Sequence, residues 1–153
     1  MPAAEVSIRQ PRPEELQLVR DLRYEVLDQD KGLPRKTSSK TDDEATSIHM
    51  AAFVDGEVVC TVRLNPLPTD PTTYLIRRMA TKLTYRDRGI GASILKAAEA
   101  AAIRRGARAF ILDARERAVS FYERAGYQDT GDRVMHDGDV NITMIKKVKT
   151  GTA

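Results

Sequence analysis

The chain has 153 residues, a formal net charge of +3 and one cysteine, Cys60. This length is enough for one domain with its own core, and a single cysteine excludes an internal disulfide and a cysteine-based metal cluster. Hydrophobic residues make up 41% of the chain without any apolar run of about 20 residues, which disfavours a membrane span. The first residues lack the basic and apolar regions of a secretion signal, so we expect a cytoplasmic protein.

The first part of the chain predicts a strand, a helix and a loop. Val6–Ile8 alternates like a short strand. Pro13 suits the start of a helix, and apolar residues then recur at helical spacing as far as Leu27. Residues 28–46 are polar and lack periodicity, which predicts a long loop that is either functional or simply a surface loop.

A hairpin follows. Ile48–Val54 and Glu57–Leu64 are strand-like, and the dipeptide Asp55-Gly56 between them is a strong signal for a two-residue turn. If the two strands pair residue by residue from that turn without a bulge, Cys60 lies on one face of the hairpin with Ala51, Val58 and Val62. The proline-containing segment Asn65–Thr73 predicts a loop.

The centre of the chain contains a glycine-rich turn. Tyr74–Leu83 predicts a strand that leads into Arg86–Ala92. Glycines at a strand-to-helix turn allow the backbone to approach a ligand, and the N–H groups of a helix start attract anions. We therefore predict a pyrophosphate-binding turn, and the alternative is a turn that only caps a packing helix. That helix begins at Gly89 and has its cap at Gly106.

The rest of the chain completes a mixed fold. Ala109–Leu112 has the pattern of a buried parallel strand, which makes the preceding helix a βαβ crossover. Arg115–Arg124 predicts a helix, and a final hairpin follows. The order of elements predicts an α/β (mixed α+β) domain over residues 5–149, with helices on both faces of the sheet and a disordered tail over residues 150–153.

Three segments resemble the GNAT superfamily of acyl-CoA-dependent N-acyltransferases, and the resemblance covers nearly the whole chain. Arg86-x-x-Gly89-x-Gly91 is similar to the glycine signature of the family. Ile76–Thr81 is similar to the strand before it, and Ala118–Tyr127 to the family segment Ala-x-x-Phe-Tyr-x-x-x-Gly-[Phe/Tyr]. The resemblance implies a mostly antiparallel sheet of six to seven strands with a splayed cleft between the fourth and fifth.

The superfamily implies an enzyme that transfers an acetyl or other acyl group from acetyl-CoA to a primary amine of a small molecule or peptide, by direct attack in a ternary complex and without a metal. Leu22–Val26, followed by Asp42, Asp43 and His49, is also similar to one bacterial branch, the ElaA-like acetyltransferases. Relatives are often homodimers, so a second copy of the chain is an expected partner.

The resemblance also implies how coenzyme A is held. The backbone of Met79, Ala80 and Thr81 is expected to hydrogen-bond the pantetheine arm, as an added strand would. The turn and the helix start are expected to bind the pyrophosphate, with positive charge from Arg86 and Arg88. For Arg88 the alternative is a solvated surface arginine. The pyrophosphate-binding residues are Arg86, Asp87, Arg88, Gly89, Ile90, Gly91, Ala92 and Ser93.

Tyr122 is the predicted general acid, at a position where family proteins often place a tyrosine. A tyrosine ordinarily keeps its proton at neutral pH, and a thiolate leaving group needs one. A proton or a hydrogen bond from Tyr122 would therefore stabilise the charge that develops on sulfur. The alternative is a packing aromatic beside Phe121.

The general base is left open. Many relatives carry a glutamate on the strand that corresponds to Tyr74–Leu83, and this segment has no Asp or Glu. The remaining candidates act directly or through water, and they are Asp42, Asp43, His49, Asp113 and Glu116. A histidine titrates in the useful range, although a lone histidine on a sheet face is more often structural. Cys60 is expected to be an inert core thiol rather than an acyl acceptor.

Two other classes of function compete with an enzyme. A non-catalytic acyl-CoA-binding or regulatory module on the same fold is favoured by the missing strand carboxylate. Nucleic-acid binding is disfavoured because the arginines are scattered and aromatic residues make up only 5% of the chain. We therefore expect an amine acceptor, and neither nucleic acid nor a membrane, as the partner.

Overall fold

The structure is a computed structural model that describes residues 5–29, 32 and 46–149. Within these residues, seven strands form one sheet in the order β1-β2-β3-β4-β5-β7-β6. The strands are β1 Ser7–Arg9, β2 Ile48–Val54, β3 Glu57–Leu67, β4 Asp70–Thr81, β5 Ala109–Arg115, β6 Gln128–His136 and β7 Asp139–Lys147. The helices are α1 Leu16–Arg23, α2 Ile90–Arg104 and α3 Val119–Arg124. The predicted mixed, mostly antiparallel sheet is confirmed, and the predicted tail over residues 150–153 lies outside the described residues.

The first helix consists of three consecutive segments with different helical geometry. A 3-10 turn at Pro13–Glu15 leads into α1, and a π-helical turn at Tyr24–Asp28 extends it. Proline fits the first position because its missing N–H has no partner there in any helix. The predicted extent of this helix is therefore close to the observed one, and the first strand begins one residue later than predicted, at Ser7.

The hairpin of β2 and β3 contains a bulge that the sequence did not indicate. The first two pairs from the turn follow the predicted register, but Ala52 then pairs with Cys60, which leaves Val59 as an extra residue. The shift moves Cys60 and Val62 to the face that packs on α2. The predicted face for these two residues is wrong, because one inserted residue exchanges the two faces of a strand.

The predicted loop over Asn65–Thr73 is also wrong. Strand β3 continues to Leu67 and β4 begins at Asp70, so only two residues connect them. Strand β2 pairs with β3 only as far as Leu64, and Pro66 pairs with β4 alone. A residue without an N–H is tolerated at such a position, where one side of the strand has no partner.

Two clusters of buried side chains cover the sheet from opposite sides. The larger cluster lies under α2 and α3, and the apolar stripe predicted for α2 is buried in it. The smaller cluster lies under α1 and consists of Val19, Leu22, Ala51, Phe53 and Val58. We call these sides the α2 face and the α1 face. Burial of apolar area on both faces is the main force that holds the helices against the sheet.

The fourth and fifth strands separate along most of their length. They pair in parallel only where Thr73–Leu75 meets Ala109–Ile111. Beyond these three pairs, β4 continues to Thr81 and β5 to Arg115 without further pairing between them. The predicted βαβ crossover and the predicted splayed cleft are both confirmed.

Candidate active site

A bulge in β4 lies beside the cleft. Thr61 pairs with Ala80 and Arg63 pairs with Arg77, so Arg78 is part of an insertion in β4. Arg78 has a φ of +57°, a conformation that costs a non-glycine residue about 1 kcal/mol. Its guanidinium forms an ion pair at 2.8 Å with Asp28, whose side chain is 2% exposed at the end of the π-helical turn.

The same bulge directs its second residue, Met79, to the α2 face. Met79 packs against the larger cluster, and its sulfur accepts a hydrogen bond from the Tyr122 hydroxyl at 3.5 Å. The ring of Phe121 meets the Tyr122 ring edge-on at 5.0 Å. Burial raises the pKa of Tyr122 to about 12, with a smaller contribution from the neighbouring Cys60. Tyr122 therefore keeps its proton at neutral pH and lies against the strand that borders the cleft.

Thr81 and Cys60 form a partly buried contact next to this tyrosine. Their Oγ1 and Sγ atoms lie 3.2 Å apart, and Cys60 is fully buried. Burial raises the pKa of the Cys60 thiol, although hydrogen bonds with Thr81 and the Thr61 backbone oppose this effect. A raised thiol pKa agrees with the prediction that Cys60 is inert. The carbonyl of Thr81 also accepts a hydrogen bond from Arg86 Nε at 3.3 Å, which connects β4 to the glycine turn.

The glycine turn presents backbone N–H groups at the end of β4. Gly89 is the N-cap of α2 with a φ of +77°, and a Cβ on it would have no atom within 4 Å. The first hydrogen bond of the helix runs from Ser93 N–H to Gly89 O at 3.2 Å, so the N–H groups of Ile90, Gly91 and Ala92 precede it. An open surface with N–H groups at a helix start fits a pyrophosphate.

Other predicted residues of the turn have defined places. Asp87 has a φ of +62°, which lets the chain reverse before Gly89. Arg88 stacks on the ring of Tyr85 at 5.0 Å from its centre, so its guanidinium is kept near the turn. A Cβ on Gly91 would lie 3.4 Å from both Met79 Cε and Phe121 Cζ. The helix start therefore packs directly beside Met79.

The candidates for the general base differ in their surroundings. His49 is 8% exposed, and its Nδ1 lies 2.8 Å from an Arg23 nitrogen, as expected for a structural histidine. Glu116 is exposed in a 3-10 turn after β5. Asp113 lies on β5 beyond the last pair with β4. Asp42 and Asp43 lie outside the described residues.

Asp113 contacts a histidine that the sequence did not suggest as a base. Its Oδ2 lies 3.1 Å from His136 Nε2, and its Oδ1 accepts a hydrogen bond from the Thr143 hydroxyl at 2.7 Å. His136 ends β6, so this contact depends on how β5, β7 and β6 pair. No local sequence pattern could have identified it.

The fold, with its splayed cleft between β4 and β5, has the architecture of an N-acyltransferase. The sequence model of the Acetyltransferase (GNAT) family matches residues 14–127, and the chain belongs to this family. The predicted family is thereby confirmed.

Individual relatives agree with this assignment. The chain is 30% identical over 116 residues to YitI of Bacillus subtilis, an uncharacterised N-acetyltransferase, and the match covers 72% of this chain and 78% of the relative. The crystal structure of Escherichia coli ElaA has a TM-score of 0.78 at 17% identity, with 94% and 99% of the two chains covered. PaiA N-acetyltransferase from Thermoplasma acidophilum in complex with coenzyme A has a TM-score of 0.72 at 17% identity, with 94% and 99% covered. The likeness to ElaA shows a shared fold, and membership of the ElaA-like branch stays a prediction.

The described residues contain neither a candidate membrane span nor a candidate metal site. No helix among them is long and apolar enough to cross a bilayer. In the same part of the chain, no group of three or more His, Cys, Asp or Glu side chains is placed to hold a metal ion.

Proposed function

We propose that the protein transfers an acetyl group from acetyl-CoA to a primary amine of a small molecule or peptide, by direct attack in a ternary complex. The observation that carries this proposal is the coincidence of three features at one end of β4. The segment Ile76–Thr81 borders the cleft without a partner on β5, Tyr122 contacts it at Met79, and the N-terminus of α2 follows it.

The chain offers separate groups for the two ends of coenzyme A. Backbone N–H and C=O groups of Met79–Thr81 border the cleft and are suited to pair with an extended amide chain. The N–H groups of Ile90–Ala92 and the guanidinium of Arg86 suit the pyrophosphate. Most of the binding would then use main-chain atoms, and these atoms are still present after a side-chain substitution.

Acetyl-CoA supplies an activated acetyl group in the form of a thioester. Tyr122 donates a proton or a hydrogen bond to the departing sulfur. The contact with Met79 supports this role, because it holds the hydroxyl against the strand that borders the cleft. Positioning of both reactants in the cleft supplies most of the acceleration.

A non-catalytic acyl-CoA-binding module remains the second candidate. Strand β4 has a single carboxylate, Asp70, which lies at its first residue and accepts hydrogen bonds from Thr72 and Thr73 at 2.7 Å. The segment Ile76–Thr81 that borders the cleft therefore has no carboxylate that could deprotonate an amine. This observation favours binding without turnover unless a base comes from another strand.

One experiment separates the two candidates. Isothermal titration calorimetry with coenzyme A measures binding, and thiol release from acetyl-CoA measures turnover with spermidine, phenylethylamine and a lysine-containing peptide. We expect binding and amine-dependent thiol release. Binding without thiol release for any amine would support the module instead, and no binding of coenzyme A would reject both.

We also propose a homodimer in the cytoplasm. Strand β6 forms one edge of the sheet and is exposed along its whole length, and an open strand edge can pair with another copy. Size-exclusion chromatography with light scattering tests this assembly, and a monomer at all concentrations would contradict it.

A further inference from the structure

Four polar side chains lie together on the α1 face near the cleft. Asp113 of β5 pairs with Thr143 of β7, and Arg115 pairs with Asn141. Residues that pair directly, and residues two apart on a strand, share a face of the sheet. The intervening residues of β5, Leu112 and Ala114, are buried in the larger cluster on the α2 face. Asp113, Thr143 and Asn141 therefore face the side opposite to Tyr122, and His136 joins them by contacting Asp113.

The carboxylate of Asp113 has a fixed position. Thr143 donates a hydrogen bond to one oxygen at 2.7 Å, and His136 Nε2 lies 3.1 Å from the other. A carboxylate only accepts hydrogen bonds, so Nε2 carries a proton, and Nδ1 is the nitrogen with the lone pair in the neutral imidazole. An imidazole held in one tautomer by a carboxylate is the arrangement that general bases in enzymes often use.

A buried amide beside this pair lacks a partner. Asn141 is 7% exposed, and its Oδ1 has no hydrogen-bond partner among the described residues. An unpartnered polar atom in such a place is costly unless a ligand or a water completes it. The α1 face near β5 and β7 therefore has the polar character expected of a site for a hydrogen-bonding acceptor.

We propose that His136 is the general base that deprotonates the acceptor amine, and that Asp113 is its positioning residue. This inference rests on the proposed acetyltransferase function. The acceptor ammonium gives one proton to His136 Nδ1, which releases it to solvent. The neutral amine nitrogen then forms a bond to the acetyl carbon, the carbon–sulfur bond breaks, and the Tyr122 proton goes to the departing sulfur. The second proton that the nitrogen loses returns through solvent to Tyr122. Amine and acyl donor would then approach the cleft from opposite faces of the sheet.

Exposure distinguishes His136 from the other histidine of the chain. The side chain of His136 is 51% exposed, so the proton that it accepts can pass to solvent, whereas His49 is only 8% exposed. Among the described residues, the charged groups that strand pairing and chain sequence place around His136 are Asp113 and Arg115 of β5, Asp137 of the adjoining turn, and Asp139, which pairs with His136 across the hairpin. Three of these four groups are acidic.

The test compares wild type, His136→Gln and Asp113→Asn in thiol release from acetyl-CoA across a range of pH, with the best amine of the panel above. We expect His136→Gln to lower kcat about 100-fold and to abolish the acidic limb of the kcat/KM profile, since general acid–base groups contribute about 100-fold or more. Asp113→Asn is expected to lower kcat about 10-fold, because the imidazole remains but loses its orientation. The KM for acetyl-CoA should stay unchanged in both.

Two controls make the result specific. Asp55→Asn removes the carboxylate of the turn between β2 and β3, at the other end of the sheet from β6, and asparagine tolerates the φ of +51° there, so its activity should match wild type. The amine 2,2,2-trifluoroethylamine is largely unprotonated at neutral pH, so His136→Gln should lose much less activity with it. Unchanged kcat and an unchanged pH profile in folded His136→Gln would overturn the inference while leaving the proposed function intact. Wild type that binds coenzyme A and releases no thiol would reject the proposed function, and this inference with it.

Discussion

The hydroxyl of Tyr122 donates a hydrogen bond to the sulfur of Met79 across 3.5 Å and so connects α3 to the bulge of β4. The hydroxyl is kept protonated, because burial raises its pKa to about 12. Its acceptor is a divalent sulfur, the same element that leaves when a thioester reacts with an amine. A buried tyrosine hydroxyl needs a hydrogen-bond partner in a packing role as well as in a catalytic one, so the two substitutions below distinguish these roles.

Tyr122→Phe should lower kcat about 100-fold and change the KM for acetyl-CoA much less, since the variant loses a proton donor and keeps the ring. Steady-state thiol release measures both constants. An unchanged kcat would remove Tyr122 from the acid role and leave it as a packing residue.

Tyr127→Phe is the matched control for this substitution. Tyr127 is 2% exposed, its ring lies 5.8 Å from that of Tyr122, and its hydroxyl donates a hydrogen bond to Glu99 at 2.6 Å. Removal of this hydroxyl should lower the free energy of unfolding by about 1–3 kcal/mol, because Glu99 loses a buried partner. Its kcat should remain near wild type, so equal loss of kcat in both variants would indicate a general packing effect.

The sequence predicted those parts of the fold that depend on neighbours along the chain. The two-residue turn at Asp55-Gly56, the buried stripe of α2 and the cap at Gly106 were all confirmed. Each depends on residue types within a few positions, such as a glycine where φ is positive.

The features that depend on tertiary packing could not be predicted. The bulges at Val59 and at Arg78 lie inside strands and involve no glycine, so nothing local indicated them. The contact of Asp113 with His136 joins residues 23 positions apart through the pairing of three strands. Such registers follow from which faces the helices bury, and single-sequence patterns do not determine them.

Gly89→Ala should weaken binding of coenzyme A about 10-fold. A Cβ at this N-cap has no protein atom within 4 Å and would occupy the open space beside the N–H groups at the start of α2. The φ of +77° also strains alanine by about 1 kcal/mol. Calorimetric titration with coenzyme A measures the change in affinity.

Gly106→Ala controls for that strain. Gly106 follows the other end of the same helix with a φ of +100°, and a Cβ there also has no atom within 4 Å. Its substitution should lower the thermal stability about as much as Gly89→Ala and leave coenzyme A affinity unchanged. If both variants bind coenzyme A as wild type does, the glycine turn is not the pyrophosphate site.

Cys60→Ala should retain turnover within about twofold of wild type, since a buried thiol with a raised pKa is a poor nucleophile. It should lower the free energy of unfolding by about 1 kcal/mol, because Thr81 loses its contact with the sulfur and a small cavity remains. The raised pKa of the Cys60 thiol can be tested by a second measurement. A thiol reagent should label native wild type slowly at neutral pH, because little thiolate is present, and rapidly after unfolding. Loss of all activity in a folded Cys60→Ala variant would instead indicate an acyl-enzyme route.

Arg78 combines a strained backbone with a buried ion pair, and two substitutions separate these effects. Arg78→Ala removes the partner of Asp28, whose side chain is 2% exposed, and should lower the free energy of unfolding by about 3 kcal/mol. Arg78→Gly removes the same ion pair but adopts the φ of +57° without strain, so it should be more stable than the alanine variant by about 1 kcal/mol. Urea unfolding of both variants measures the difference. Equal stability of the two variants would show that the φ of Arg78 carries no strain.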